Sequence, residues 1–221
     1  MLLIRKIISV IAPDNCIVCD DEGSLLCEAC ALSEIPFAAS TCYRCGQNTN
    51  NFETCQKCRR ASPLSNVWVV TKYDSVAKDL IGELKFDSRR GAAVPMAGLC
   101  CGILPLLEGV IVTHLPTSPL HVRRRGYDQA KLIARELALG KYHYAPLLRR
   151  IKKIHQIGAS KATRQKHLAG AFIAINKYLI KGSKILLVDD VATTGASLEE
   201  AARTLKRSGA KQVSAVVFAR T

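Results

Sequence analysis

Residues 185–197, ILLVDDVATTGAS, constrain what this chain can fold into more than any other stretch. The four apolar residues at 185–188 have the length and composition of a short buried strand. Asp189 and Asp190 follow, and after them Val191, Ala192, Thr193, Thr194, Gly195, Ala196 and Ser197 make a small-residue turn. Beyond the turn, Leu198, Ala201, Ala202 and Leu205 recur at i, i+3, i+4 and i+7, the stripe of an amphipathic helix. Strand, tight loop and helix in that order form one unit of an α/β fold with a parallel sheet, where ligands collect at the carboxyl ends of the strands.

The turn has the chemistry of an anion site. A helix start leaves backbone N–H groups free, and its aligned peptide dipoles favour negative charge. Thr193, Thr194 and Ser197 add hydroxyl donors, and Gly195 lets the backbone approach a phosphate without a Cβ between them. Asp189 and Asp190 are acceptors suited to the vicinal hydroxyls of a sugar or to a bound Mg²⁺. Together these describe a site for a ribose 5-phosphate group; an acidic strand end before an ordinary Thr/Ser helix cap is the plainer alternative. The stretch lacks the GxxxxGK[ST] of a P-loop and the GxGxxG of a dinucleotide fold. It resembles the 5-phosphoribosyl-1-pyrophosphate (PRPP) motif of type I phosphoribosyltransferases.

Eight of the ten cysteines form four CxxC pairs: Cys16 and Cys19, Cys27 and Cys30, Cys42 and Cys45, Cys55 and Cys58. A CxxC turn puts two thiolates on one side of a metal, and a second turn completes a tetrahedron. A disulfide framework needs an oxidising compartment, which nothing in the sequence indicates. The series predicts two Zn²⁺ ions, each closed by four thiolates and therefore structural. Sequential pairing, first pair with second and third with fourth, fits the shorter separations. Cys100 and Cys101 lack this spacing and read as core thiols.

The 221 residues accommodate one ordinary domain and a small one, divided as 1–62 and 63–221. The opening MLLIRKIISVIAP is interrupted by Arg5 and Lys6 and lacks a small-residue cleavage site. It predicts a short helix ending near Pro13, not a secretory signal, and so a cytoplasmic protein. No apolar run approaches bilayer-spanning length, which argues against an integral membrane protein. Strands are expected at 67–73, 110–115, 143–147 and 213–219, with helices after Asp74, over 94–107 and after Tyr127.

Charge is uneven. Of a net +14, residues 121–166 hold +11, from thirteen Lys/Arg against Asp128 and Glu136. A solvated basic face, a pyrophosphate clamp and a nucleic-acid footprint all fit such a segment. Residues 116–130, PTSPLHVRRRGYDQA, follow a strand and so belong on the same rim as the ATTG turn.

The CxxC series, LPTSPLHVRRRGYDQA and ILLVDDVATTGAS together resemble the ComF family of competence-associated proteins, over nearly the whole chain. The resemblance implies a type I phosphoribosyltransferase-like, Rossmann-type parallel sheet behind an N-terminal double zinc ribbon. It makes 116–126 the pyrophosphate loop, with Arg123, Arg125 and Gly126 at the anion. Asp189 and Asp190 would take the ribose hydroxyls with Mg²⁺, and 191–197 the 5-phosphate. Asp128 stands where the family has Asn, and Ala159 and His167 replace Leu and Asn in a closing loop. The function implied is PRPP binding and the handling of imported single-stranded DNA in natural transformation, alongside DNA-uptake proteins. Active phosphoribosyl transfer to a nucleobase or amine, and a zinc-ribbon nucleic-acid module with a vestigial transferase fold, are the alternatives.

Overall fold

The computed structural model describes residues 14–151 and 170–221. Its centre is a five-stranded parallel sheet of β1 (Val67–Lys72), β2 (Val110–His114), β3 (His143–Tyr144), β6 (Lys184–Ala192) and β7 (Gln212–Arg220), in the order β1-β7-β6-β2-β3. β7 and β6 are buried Val/Ile/Leu/Ala runs, the composition a strand needs when both faces are covered. A separate antiparallel ribbon pairs β4 (Leu148–Arg150) with β5 (Phe172–Ala174).

Two hydrophobic layers flank the sheet. On one face lie α3 (Ser75–Lys85), α4 (Ala93–Ile103) and α6 (Gln129–Ala138), packed on Trp68, Val70, Leu186, Val188 and Val216. On the other lies α8 (Ala196–Arg207), packed on Ile185, Leu187, Ala215 and Val217. Alternate residues of β6 thus serve opposite layers, as the two-residue period of a strand requires. The run expected to extend through 107 stops at Ile103, with Leu104 extended at ψ 133° ahead of Pro105. Proline disfavours the helical region for the residue before it.

Residues 14–66 wrap this domain from both sides. The first cysteine group carries α1 (Glu28–Glu34) and sends Leu25, Leu26 and Ile35 into the α3/α4/α6 layer. The connection to the second group covers the exposed edge of β1: Ala38 N–H donates to the Val70 carbonyl at 2.8 Å, and the Thr71 hydroxyl to the Pro36 carbonyl at 2.7 Å. The second group carries α2 (Gln56–Arg59) and places Tyr43 in the α8 layer. Trp68, buried in β1, donates its indole N–H to Asn51 of this group at 2.8 Å. Two further helices complete the chain, α5 (Pro119–Arg125) after β2 and α7 (Lys177–Ile180) before β6. The helix expected to end near Pro13 lies outside the described residues, as do Gln156, Ala159, Ser160, Arg164 and His167.

Candidate functional site

The four sulfurs of Cys16, Cys19, Cys27 and Cys30 lie within 4.8 Å of one another, and so do those of Cys42, Cys45, Cys55 and Cys58. The pairing is therefore sequential. Two neighbouring ligands on a tetrahedral zinc at ~2.3 Å stand ~3.8 Å apart; Cys19 and Cys27 are 3.7 Å apart, and Cys45 and Cys55 3.6 Å. Burial raises the Cys16 thiol, but backbone N–H groups of Cys27, Cys19 and Val18 outweigh it and bring it down to about 6. Cys42 is brought to about 6 in the same way, by the N–H groups of Cys55, Cys45 and Arg44. The neighbouring thiols push Cys30 up, and burial with the neighbouring thiols does the same to Cys58, a crowding that a bound cation would relieve. A zinc ion fits the spacing of each tetrad.

A cavity of about 810 Å³ opens at the carboxyl ends of β2 and β6. One wall is the turn from Val191 and Ala192 through Thr193, Thr194, Gly195, Ala196 and Ser197. Gly195 caps α8 with φ 77°, a left-handed conformation that glycine adopts without cost. Thr193 and Thr194 are exposed toward the opening, and α8, twelve residues long, begins beside them. The opposite wall is Pro116, Thr117, Ser118 and His121, with Gln129 at the start of α6 and Arg150 at the end of β4.

The two aspartates part company. β6 continues through both of them to Ala192, so the carboxylates stand within the strand and its alternation sends them apart. Asp189 faces the cavity. Asp190 is buried on the opposite face and pairs with Lys85 Nζ of α3 at 2.8 Å. The four-residue strand read from the apolar run is thus nine residues long. Burial first, then the negative charge of Asp190, raise the Asp189 carboxyl above the usual carboxylate range, while Lys85 acts the other way. An ionised Asp189 is best complemented by a cation.

The arginines of 123–125 occupy the last turn of α5, where Gly126 closes the helix at φ 79°. Arg123 and Arg125 are not among the residues lining the cavity. Arg125 instead donates to Gln129 Oε1 at 3.0 Å and lies over the Phe86 ring at 5.7 Å, one residue behind the wall. Asp128 has a structural reason for its place: it accepts the Thr117 N–H at 2.8 Å and the Lys131 N–H at 3.3 Å. That ties the 116–118 turn to the N-terminus of α6. Thr117, Ser118 and Gln129 follow from the rule that ligands sit beyond strand ends. Arg150, within the basic segment 121–166, comes to the cavity through pairing of β4 with β5. No sequence signal gives that.

The second ribbon touches the 193–197 turn directly. The Tyr43 ring lies against Gly195, where a Cβ would stand 3.2 Å from Cδ2. Its hydroxyl is 2.6 Å from Ser62 Oγ and donates to Glu199 Oε1 at 2.9 Å. Burial, then the Glu199 charge, push the Tyr43 phenol up, so it stays a donor.

These features match known domains. The double zinc ribbon domain family matches residues 7–59, and the phosphoribosyl transferase domain family matches residues 121–221. Competence protein F of Haemophilus influenzae is 27% identical over 207 residues, covering 85% of this chain and 87% of that protein. Competence protein ComFC of Streptococcus pneumoniae is 25% identical over 197 residues, covering 87% and 86%. The chain is thus similar, along most of its length, to proteins of the ComF type. The DNA utilization protein YhgH of Salmonella typhi is 28% identical over 216 residues, covering 89% of this chain and 90% of its own length. The two domain matches put a double zinc ribbon before a phosphoribosyl transferase-like sheet. Among the described residues, no helix is long and apolar enough to cross a membrane.

Proposed function

We propose that this chain binds PRPP with Mg²⁺ in the 810 Å³ cavity and serves natural transformation, handling imported single-stranded DNA in the cytoplasm. One observation carries the ligand assignment: a glycine-capped helix start and a lone inward carboxylate, Asp189, share one cavity at the strand ends. The 5-phosphate fits the backbone N–H groups and hydroxyls of 193–197. The ribose hydroxyls fall to Asp189, 8 residues before Ser197 in sequence and on the same wall. Pyrophosphate fits the other wall, where His121 and Arg150 supply positive or donor groups and Thr117 a hydroxyl. Arg125 orients Gln129 from behind, and Asp190 with Lys85 fixes the end of β6.

Mg²⁺ binds through one or two carboxylates and the oxygens of a substrate phosphate, which Asp189 and a pyrophosphate together provide. Bound there, it would neutralise the pyrophosphate charge. The cytoplasmic placement is supported by ten free cysteines, eight of them in thiolate tetrads that oxidation would destroy. DNA handling is supported by the ComF relatives' names and by the basic segment 121–166, of which Arg123, Arg124 and Arg149 are exposed.

Calorimetric titration with PRPP and Mg²⁺, repeated with single-stranded DNA present, tests both halves. Saturable PRPP binding that requires Mg²⁺ and is weakened by Asp189→Asn is expected. Absence of binding, or equal binding by the Asp189→Asn variant, overturns the ligand assignment. Competition between the two ligands would place DNA across the cavity mouth, and independent binding would place it elsewhere on the basic segment.

A further inference from the structure

We infer that the second zinc ribbon is a working part of the anion site: Tyr43 holds the 193–197 turn in its phosphate-receiving shape. Ligand in the cavity and zinc in the Cys42–Cys45–Cys55–Cys58 tetrad therefore stabilise each other. This rests on the cavity being a PRPP site and adds a regulatory link to it.

The contacts form a chain from metal to ligand. Tyr43 immediately follows the ligand Cys42, so the metal fixes its backbone. Arg220, at the end of β7, donates to the Tyr43 carbonyl at 2.7 Å and pins the knuckle to the sheet. The ring then closes the back of Gly195, which is buried although its neighbours Thr193 and Thr194 are exposed. A glycine at φ 77° has no side chain to hold its own conformation, so the turn depends on what packs behind it.

Charge supports the same reading. Glu199 sits in the first turn of α8, where a phosphate would meet an unneutralised carboxylate. The ribbon offsets it twice, through the Tyr43 hydroxyl and through Arg44 Nε at 3.4 Å, and Arg203 adds a contact at 2.5 Å. Losing the ribbon's metal would release both Tyr43 and Arg44. The helix start would then lose its steric backing, and Glu199 would be left with Arg203 alone to offset its charge. Among the described residues the first tetrad makes no such contact: Cys16 and Cys30 are buried in the opposite layer.

Linkage makes the effect reciprocal. If release of Tyr43 leaves the turn in its receiving shape about one-tenth of the time, PRPP affinity falls about tenfold. By the same factor, saturating PRPP should retain zinc in the second tetrad.

The test is chelator challenge of the full chain, using a zinc-selective chelator, excess Mg²⁺ and a thiol-alkylating reagent, with peptide mapping to assign each cysteine. With saturating PRPP, alkylation of Cys42, Cys45, Cys55 and Cys58 should slow about tenfold, and that of Cys16, Cys19, Cys27 and Cys30 should not change. Equal protection of both tetrads, or of neither while PRPP is bound, overturns the inference. Tyr43→Ala should weaken PRPP about tenfold, whereas Tyr43→Phe, which keeps the ring behind Gly195, should retain most of the affinity. A Tyr43→Ala chain that binds like the parent overturns it too. Should the parent bind no PRPP, the ligand assignment falls, and amide hydrogen exchange then decides the coupling by itself. Faster exchange confined to residues 193–199 in Tyr43→Ala supports it, and unchanged exchange there overturns it.

Discussion

The two zinc ribbons have the same ligand set and hold different things. In the first, the residues between the leading cysteines are Ile17 and Val18; in the second, they are Tyr43 and Arg44. Ile17 packs against the apolar layer under α3 and α4, and Val18 is solvent-exposed. Tyr43 and Arg44 both reach Glu199 in the first turn of α8. The first knuckle is held by apolar packing and by the Asp14–Arg89 pair at 3.4 Å, which is half-exposed and weak. One cysteine tetrad thus packs against the apolar layer on one face of the sheet, and the other backs the 193–197 turn on the opposite face. Two residues inside each CxxC turn decide which.

Metal removal should separate them most strongly. The parent is expected to carry two zinc ions by elemental analysis. Cys30→Ser and Cys58→Ser should each leave one, and each should cost more than about 4 kcal/mol, as loss of a structural metal does. In the folded fraction, Cys30→Ser should bind PRPP normally and Cys58→Ser should not. One zinc in the parent, or identical PRPP affinity in the two variants, would break the contrast.

Gly195→Val comes next. A β-branched side chain at φ 77° is strained by about 1–3 kcal/mol, and its Cβ would meet the Tyr43 ring at 3.2 Å. PRPP affinity should fall more than about 30-fold, equivalent to ~2 kcal/mol. The ring contact predicts that Tyr43→Ala relieves part of the loss. Simple additivity of the two substitutions would show that the ring and the turn are not coupled.

The aspartates give a smaller, sharper pair. Asp189→Asn should weaken PRPP with little change in unfolding midpoint, because Asp189 faces the cavity. Asp190→Asn should do the reverse. It leaves Lys85, whose side chain is only 18% exposed, without its carboxylate, at a cost of about 3 kcal/mol. Denaturant unfolding and PRPP titration of each variant check this; a stable Asp190→Asn chain with lost PRPP binding would return Asp190 to the site.

Much of this was legible in the residues. The four CxxC pairs and the ILLVDDVATTGAS run carry strong local chemistry, and both tetrads and the strand–turn–helix unit stand where spacing places them. What spacing cannot supply is side-chain direction. The apolar run 185–188 ends the visible pattern, yet hydrogen bonding with β7 carries the strand to Ala192, and this alone splits Asp189 from Asp190. Lys85 and Tyr43 reach their places through contacts across 105 and 156 residues and Arg150 through pairing of β4 with β5, and no local pattern marks them. Arg125 illustrates the converse. Its motif position is clear, but the helix that contains it turns the guanidinium onto Gln129 and Phe86.

The smallest expected effect concerns where DNA lies, and it again sets one module against the other. Residues 1–66 carry six Lys/Arg against seven Asp/Glu, a poor balance for a polyanion, whereas the excess lies at 121–166. Dissecting the chain would be a poor test, because Trp68, Tyr43 and Arg220 knit the modules together. Charge variants of the full chain avoid this. Arg123, Arg124 and Arg149 are exposed and lie outside the cavity lining, so changing them to Gln spares the wall that Arg150 belongs to. Each neutralised phosphate contributes about 0.7 to the slope of log affinity against log salt on single strands. If all three arginines meet phosphates, the triple variant should flatten that slope by about 2 with PRPP binding intact. The matching control is Lys57→Gln, Arg59→Gln and Arg60→Gln, an exposed basic trio at α2 of the second ribbon. Fluorescence anisotropy across a salt series compares them. A flatter slope in the ribbon variant and none in the arginine variant would move the DNA site onto the zinc module.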